Sequence, residues 1–380
     1  MRYYVAPNGT NFSLNHWTTP GTVPGDLVTT VSQILANPSP TGDEIWAVGD
    51  SNVLGAQYQG IYSLTTPLSI VGNTAPLSIY GGFAGWENTL CDRNAKIDSQ
   101  GYPNFFPNPS ILDGGGINRV IYLIANVCRI DGFVIRNGNA ATAATGLYGG
   151  GMVAGGRNIW LENLVFVDNL AMGDGGGIFA TAFGLMIKNS IFFRNQASNG
   201  GGLGAGDGSN MRFVNLLFND NQTVGTAGNG DAIYLMGDTN VQIINNTISG
   251  NTTGSSSVYC TSTTTNIVEI YNSIIYPDNL VAASFVVVRV EYCCLGSNPV
   301  GTLPLTPTSF IGTPNFIGMG SLSATGNFHL QASSPCINMG NTDLIFPLSA
   351  TDLEGYPRFI GGNPPPFPTI EVDMGALEVQ

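Results

Sequence analysis

Acid–base chemistry on a saccharide needs either two carboxylates about 5–9.5 Å apart, or a basic residue that takes a proton beside a uronate neutralised by carboxylates or Ca²⁺. The middle of this chain supplies Asp168, Asp174, Asp220 and Asp231, with Lys188, Arg194 and Arg212 as the bases. Asp174 opens a glycine triplet and Asp231 follows a glycine cluster, places where Asp is an ordinary turn residue. His16 and His329 are the two histidines, and neither has a catalytic partner beside it in sequence. No vicinal carboxylate pair stands in this region, and the paired-Asp signature of pectin hydrolases is missing. The expectation is therefore that no residue is catalytic.

Binding chemistry has other candidates. Tyr102, Phe105 and Phe106 are interleaved with Pro and Asn in GYPNFFPNP, so they are candidate saccharide-stacking rings, with folding over a flank as the competing role. Trp46, Trp86 and Trp160 adjoin strand-like runs and are read as packing. Asp343, Asp352, Glu354 and Asp373 do not follow the spacing of an EF-hand loop. No metal site or cofactor is assigned, with Ca²⁺ as the one open alternative. Cys91, Cys128, Cys260, Cys293, Cys294 and Cys336 lack C-x-x-C spacing, which argues against a zinc ribbon. Small buried hydrophobes, with one or two bridges left open, is the expectation for them.

The composition narrows the partners. Charged residues are 10% of the 380 and the net charge is −13, so a basic track for nucleic acid is missing. No run approaches the ~20 apolar residues of a membrane span. The start MRYYVAPNGT has no apolar core of a signal peptide. Hydrophobic residues at 43% still suffice for a large core.

Something must position these side chains, and a repeat does so. A polar residue, a hydrophobe three later and Asn or Asp three later again recur as Asp131/Val134/Asn137, Asn163/Phe166/Asn169, Asn189/Phe192/Asn195, Asn215/Phe218/Asn221, Asn245/Ile248/Asn251 and Asn272/Ile275/Asp278. The steps are 32, 26, 26, 30 and 27 residues. Glycine clusters follow the early copies at 149–151, 175–177 and 200–202. The surrounding runs are β-branched or aromatic, four to six residues long, and carry no helical period. Such a unit cannot bury its apolar face alone, and stacking units one strand spacing apart gives a parallel β-helix. Val134, Phe166, Phe192, Phe218, Ile248 and Ile275 are expected as one internal column. Asn163, Asn189, Asn215 and Asn245 are expected as an Asn ladder at a turn. Arg136, Asp168, Arg194 and Asp220 alternate in sign and are expected as a vertical ion-pair ladder that fixes register.

One elongated domain spans 1–380: an N-terminal cap at 1–42, coils at 43–300, and C-terminal coils and cap at 301–380. The pieces YVAPNGT, SIYGGFAGWE, ILDGGG, RIDGFVIRNGNA, FHLQASSPCINMG and TDLEGYPRF…DMGALE resemble secreted bacterial β-helix repeat proteins of the choice-of-anchor Q type. That resemblance implies an all-β, single-stranded right-handed parallel β-helix, a pectate-lyase-like solenoid of about ten coils. It also implies an extracellular or cell-surface location. Two functions follow from it and from the residues. The favoured one is a non-catalytic structural or adhesive protein, including a fibre subunit joined head to tail through residues 1–42 and TIEVDMGALEV. The alternative is a lyase or glycoside hydrolase on a polysaccharide.

Overall fold

The computed structural model describes residues 1–7, 9, 25–51, 58–93, 106–141, 146–225, 228–237, 240–251, 256–283, 285–301, 304–318, 327–344, 351–358, 360–361 and 370–379. Short β-branched runs form strands, and the strands of the large sheet pair in parallel with their counterparts one coil later. One face shows this best: Ile61–Ser63 pairs with Ser110–Asp113, that strand with Phe133–Arg136, and so on up to Cys294–Leu295 and Phe310–Ile311. Ten rungs stack this way among the described residues. The chain is a parallel β-helix.

Alternation along each strand sends every second side chain into the lumen. Phe166, Phe192 and Phe218 are wholly buried there. Their rings stack at centroid distances of 4.9 and 4.6 Å, with 7° between planes in both pairs. Above them the column continues through Ile248 and Ile275. Below them it passes to Ile135, not Val134. The first copy is offset by one residue, because Ile135 faces Phe166 while Val134 faces Val165. Gly132, at φ +83°, stands before its strand where Asn163 stands in the next coil. Val134 therefore points outward, into a second apolar cluster on the flank.

The N-terminal end of the lumen is closed by a helix, Leu27–Ala36. Asp26 caps it, accepting from the Thr29 amide at 2.7 Å. Its buried residues Leu27, Val31 and Ile34 join the lumen core, so the first rung does not present an open apolar end.

The C-terminal region departs from the expectation of further coils and an end cap. Beyond Phe310–Ile311 the described strands, Phe316–Gly318 with Asn327–Leu330 and Ile360–Gly361 with Ile370–Glu371, pair antiparallel. The segment folds back along the flank. There Phe328, Leu330, Leu353, Met374, Ala376 and Leu377 share a buried cluster with Val165, Val167, Ile191, Phe193 and Leu217. Backbone bonds fasten it to separate coils: Ala376 N–H to Thr247 Oγ1 at 3.0 Å, and Gly375 N–H to the Asn272 carbonyl at 2.7 Å. The strand TIEVDMGALEV is thus occupied by its own solenoid, because its apolar residues Val372, Met374, Ala376 and Leu377 are buried.

Candidate functional site

On one outer face the strands are long enough to carry two neighbouring columns of outward side chains. The first runs from Arg2 over Glu44 and Ser78 to Arg129. It continues over Trp160 and Met186 to Arg212, and over Gln242 and Glu269 to Arg289. An arginine therefore recurs at every third rung, about 14 Å apart at one strand spacing per rung. The second column, two residues along each strand, brings Asp131, Glu162 and Lys188 together in successive coils.

These side chains form one network. Arg129 Nη2 lies 3.0 Å from Asp131 Oδ2 and 2.7 Å from Glu162 Oε2. Lys188 Nζ lies 3.5 Å from the other Glu162 oxygen. From below, Arg93 Nη1 reaches Asp131 Oδ1 at 3.3 Å and the Gly81 carbonyl at 2.8 Å. Burial works to lower the Arg129 pKa, but the Asp131 and Glu162 carboxylates outweigh it and hold the guanidinium above its usual range. Asp131 is buried, whereas Arg129 and Lys188 keep 35% and 21% of their side chains in solvent. The arrangement presents fixed cations on a carboxylate base.

Trp160 sits in the middle of the first column and is 47% exposed, which overturns its reading as a packing residue. Its neighbours Ile159 and Leu161 point into the lumen, so the alternation of the strand puts the indole outside. Further along, Arg212 Nε donates to Gln242 Oε1 at 3.0 Å and Gln242 Nε2 to Glu269 Oε2 at 2.9 Å. Arg289 closes on Glu269 at 3.4 Å. A groove of about 250 Å³ lies here, edged by Asn210, Asn240 and Ile267 as well.

No family model matches this sequence, and no curated protein matches it either. Among solved structures it is similar to the pectate lyase Pel9A, with a TM-score of 0.55 and 15% identity over 100% of this chain and 96% of that one. It is also similar to a rhamnogalacturonan lyase, with a TM-score of 0.48 and 13% identity over 84% and 91% of the two chains. The likeness is one of fold. The likeness to Pel9A makes this chain a right-handed parallel β-helix and leaves its chemistry to its own residues.

The stacking candidates are not part of this face as free rings. Tyr102 and Phe105 lie outside the described residues. Phe106 is buried, its ring 4.7 Å below the Arg93 guanidinium. A side-chain carbon added at Gly82 would meet that ring at 2.5 Å, so glycine there makes the room that hides it. Phe106 is therefore corrected from saccharide-stacking to packing.

The ion-pair column differs from the expectation at its first member. Arg136 faces Asp113 on one side and Val167 on the other, and its Nε bonds Asp113 Oδ2 at 2.7 Å. The one-residue offset of the first copy takes it out of the Asp168 column. Arg194 meets Asp168 with two bonds, 2.8 and 2.6 Å. Burial raises the Asp220 carboxyl while Arg194 pulls it the other way.

Asn163, Asn189, Asn215 and Asn245 all take left-handed backbone, with φ between 47° and 56°. They turn the corner between two faces, but their amides do not form one ladder. Asn215 Nδ2 donates to Asn189 Oδ1 at 3.0 Å, Asn163 turns down to Asp131, and the Asn245 amide bonds neither neighbour. A continuous ladder stands six residues later in each coil. Asn169, Asn195, Asn221 and Asn251 are all buried. Each of Asn169, Asn195 and Asn221 donates Nδ2 to the next Oδ1 at 2.9 to 3.0 Å. Each Nδ2 of the four also reaches a lumen-column carbonyl, at Ile135, Phe166, Phe192 or Phe218. Asp278 ends the series, accepting from Asn251 at 3.0 Å.

The C-terminal acids are spent on the chain itself. Asp352 accepts from the Glu354, Tyr356 and Glu378 amides. Asp373 accepts from Asn338 and Val379. Glu354 meets His329 Nε2 at 3.1 Å, and Asp343 opens a short 3-10 turn. Asp174 takes the Asn199 amide at 2.8 Å, and Asp231 takes Thr223. Asp352, Asp373 and Asp231 thus accept from backbone amides, while Glu354 and Asp174 pair with side chains. Sequence spacing missed the Arg129, Asp131, Glu162 and Lys188 network because its members come from three different coils.

Proposed function

We propose that this chain is an extracellular β-helix protein that binds an anionic polysaccharide along the outer face carrying Arg129, Trp160, Lys188 and Arg212. One observation carries the reading. Five of the chain's twelve basic residues (Arg2, Arg129, Lys188, Arg212 and Arg289) stand in the two columns of this face, against five of its twenty-five acidic ones (Glu44, Asp131, Glu162, Glu269 and Glu291). In a chain of net charge −13, these two columns carry no net negative charge. Regular arginines spaced about 14 Å apart suit a linear polymer lying along the solenoid axis. A half-exposed indole among them offers an apolar ring face for a sugar. The named activity of the fold neighbour Pel9A, a pectate lyase, agrees with that ligand class.

Binding without cleavage is the better supported form. A general base must be able to shed its proton near the working pH, and Arg129 is held more firmly protonated than a free guanidinium. Affinity electrophoresis in gels containing polygalacturonate or a neutral glucan tests the reading. Retardation by the uronan alone, weakened at least about tenfold by Trp160→Ala together with Arg129→Ala, is the expected result. Equal migration in both gels would refute it. Lys188, beside Glu162 on this face, is the base to test for the second reading. Release of an ultraviolet-absorbing unsaturated uronide by the intact chain, abolished in Lys188→Ala, would replace binding by elimination.

A further inference from the structure

Cys293 and Cys294 are adjacent in sequence and opposite in direction. Cys293 belongs to the lumen core, its thiol donating to the Glu291 carbonyl at 3.2 Å. Cys294 points outward into the flank cluster, where the C-terminal segment supplies Cys336. Both side chains are wholly buried, and both are free thiols in this structure. The Cys294 thiol bonds the Gly312 carbonyl at 3.5 Å, and the Ser334 hydroxyl, two residues before Cys336, bonds the Pro314 carbonyl at 2.5 Å, so the two cysteines sit on the same stretch of the flank. Of the remaining cysteines, Cys128 and Cys260 are in the lumen and Cys91 is exposed. The cysteines are thus sorted by face, and only one pair bridges solenoid and segment.

We propose that Cys294 and Cys336 form a disulfide that staples the C-terminal segment to the flank of the solenoid. The chemistry is thiol–disulfide exchange with a low-molecular-weight disulfide such as oxidised glutathione. One cysteine thiolate attacks that disulfide, forming a mixed disulfide and releasing one glutathione thiolate. The second cysteine thiolate attacks the mixed disulfide, forming the Sγ–Sγ bond and releasing the other glutathione. The two protein protons end on the two glutathione thiols, so one disulfide is made and one is consumed.

The surroundings set when this happens. The neighbouring Cys336 thiol and burial both push the Cys294 thiol upward, and the docked segment seals both sulfurs from solvent. Exchange therefore proceeds while the segment is undocked, during folding, and is slow once it is seated.

The test uses the full chain carrying Cys91→Ser, which removes the exposed thiol. The protein is refolded in a glutathione redox buffer, alkylated in denaturant and digested for mass spectrometry. Cys128, Cys260 and Cys293 should be alkylated, and Cys294 and Cys336 should be found joined. Adding Cys293→Ala should leave the crosslink intact, and adding Cys294→Ala should abolish it. Five alkylated thiols, or a bridge through Cys293, would overturn the proposal. In the same chain, oxidation should slow protease cleavage within 337–379 by roughly tenfold against the reduced form. Equal rates in the two forms would refute the stapling role.

Discussion

Arg358 Nη2 donates to Asn215 Oδ1 at 3.1 Å across 143 residues of sequence. The same guanidinium bonds Glu378 Oε1 at 2.5 Å and the Gly375 carbonyl at 2.9 Å. Asn215 in turn donates to the Thr351 carbonyl at 2.8 Å. A wholly buried arginine thus joins a corner of the solenoid to both arms of the C-terminal segment. Replacing it by leucine leaves Glu378 without its cation. The expected cost is about 3–5 kcal/mol, read as a lower urea midpoint and early proteolysis of the segment. Glu378→Gln in the same chain should return part of the loss.

Three buried carboxyls, Asp352, Asp373 and Glu378, share that one guanidinium. Burial raises all three, with Arg358 pulling each back. Their folded affinity for protons exceeds the unfolded one, so the native state binds more protons and stability falls as pH rises. The contribution is full below the ordinary carboxylate range and is lost as pH climbs through the raised values. Urea midpoints taken from about pH 5 to about pH 9 should therefore decline, and Glu378→Gln should flatten the decline. A midpoint that rises over this range would contradict the arrangement.

Asp278 stands where the buried amide ladder calls for a further asparagine, and burial pushes its carboxyl up to about 6. Ionised above that pH, it costs what a neutral amide would not. Asp278→Asn should stabilise the chain by about 1–3 kcal/mol at pH 8 and remove the loss that wild type suffers between about pH 4 and pH 6. Thermal melts of both proteins across that range decide it.

Neighbouring residues should behave very differently when truncated. Arg194 pairs with Asp168 in a bond whose side chains are 42% and 37% exposed, so Arg194→Ala should cost at most about 1 kcal/mol. Asn195, buried, takes the amide of Asn169 and bonds the Phe166 carbonyl and Asn221. Asn195→Ala orphans several buried groups and should cost about 3 kcal/mol or more. Similar costs for the two would mean that the exposed column, not the amide ladder, holds the register.

The fold was legible because period and spacing are local. Phe166, Phe192 and Phe218 lie 26 residues apart and stack as their spacing requires. What failed to show was anything set by a single residue more or less. Gly132 shifts the first copy by one, which sent Val134 outward and Arg136 to Asp113. The candidate face was legible only in hindsight. Trp160 lies between two lumen residues, so strict alternation would have placed it outside. The link between Arg358 and Asn215 had no sequence signal, since burial of a lone arginine cannot be read from spacing.

The way the C-terminal segment is fastened sets where this molecule can change length. It takes hold at Asn215, at Thr247 and at Asn272, in three successive coils. Between those holds the number of turns is fixed, because adding or removing one would displace every later clasp. Before Asn215 the described part of the segment meets the coils through apolar packing on Val165, Val167, Ile191 and Phe193, which a repeated coil of the same pattern would preserve. Asn163 and Asn189 turn the same corner with φ of 54° and 47°, and joining Asn163 directly to Ser190 would bring Phe192 onto the place of Phe166. The early half of the molecule is thus an adjustable stem, and the later half is a gauge with its graduations already cut.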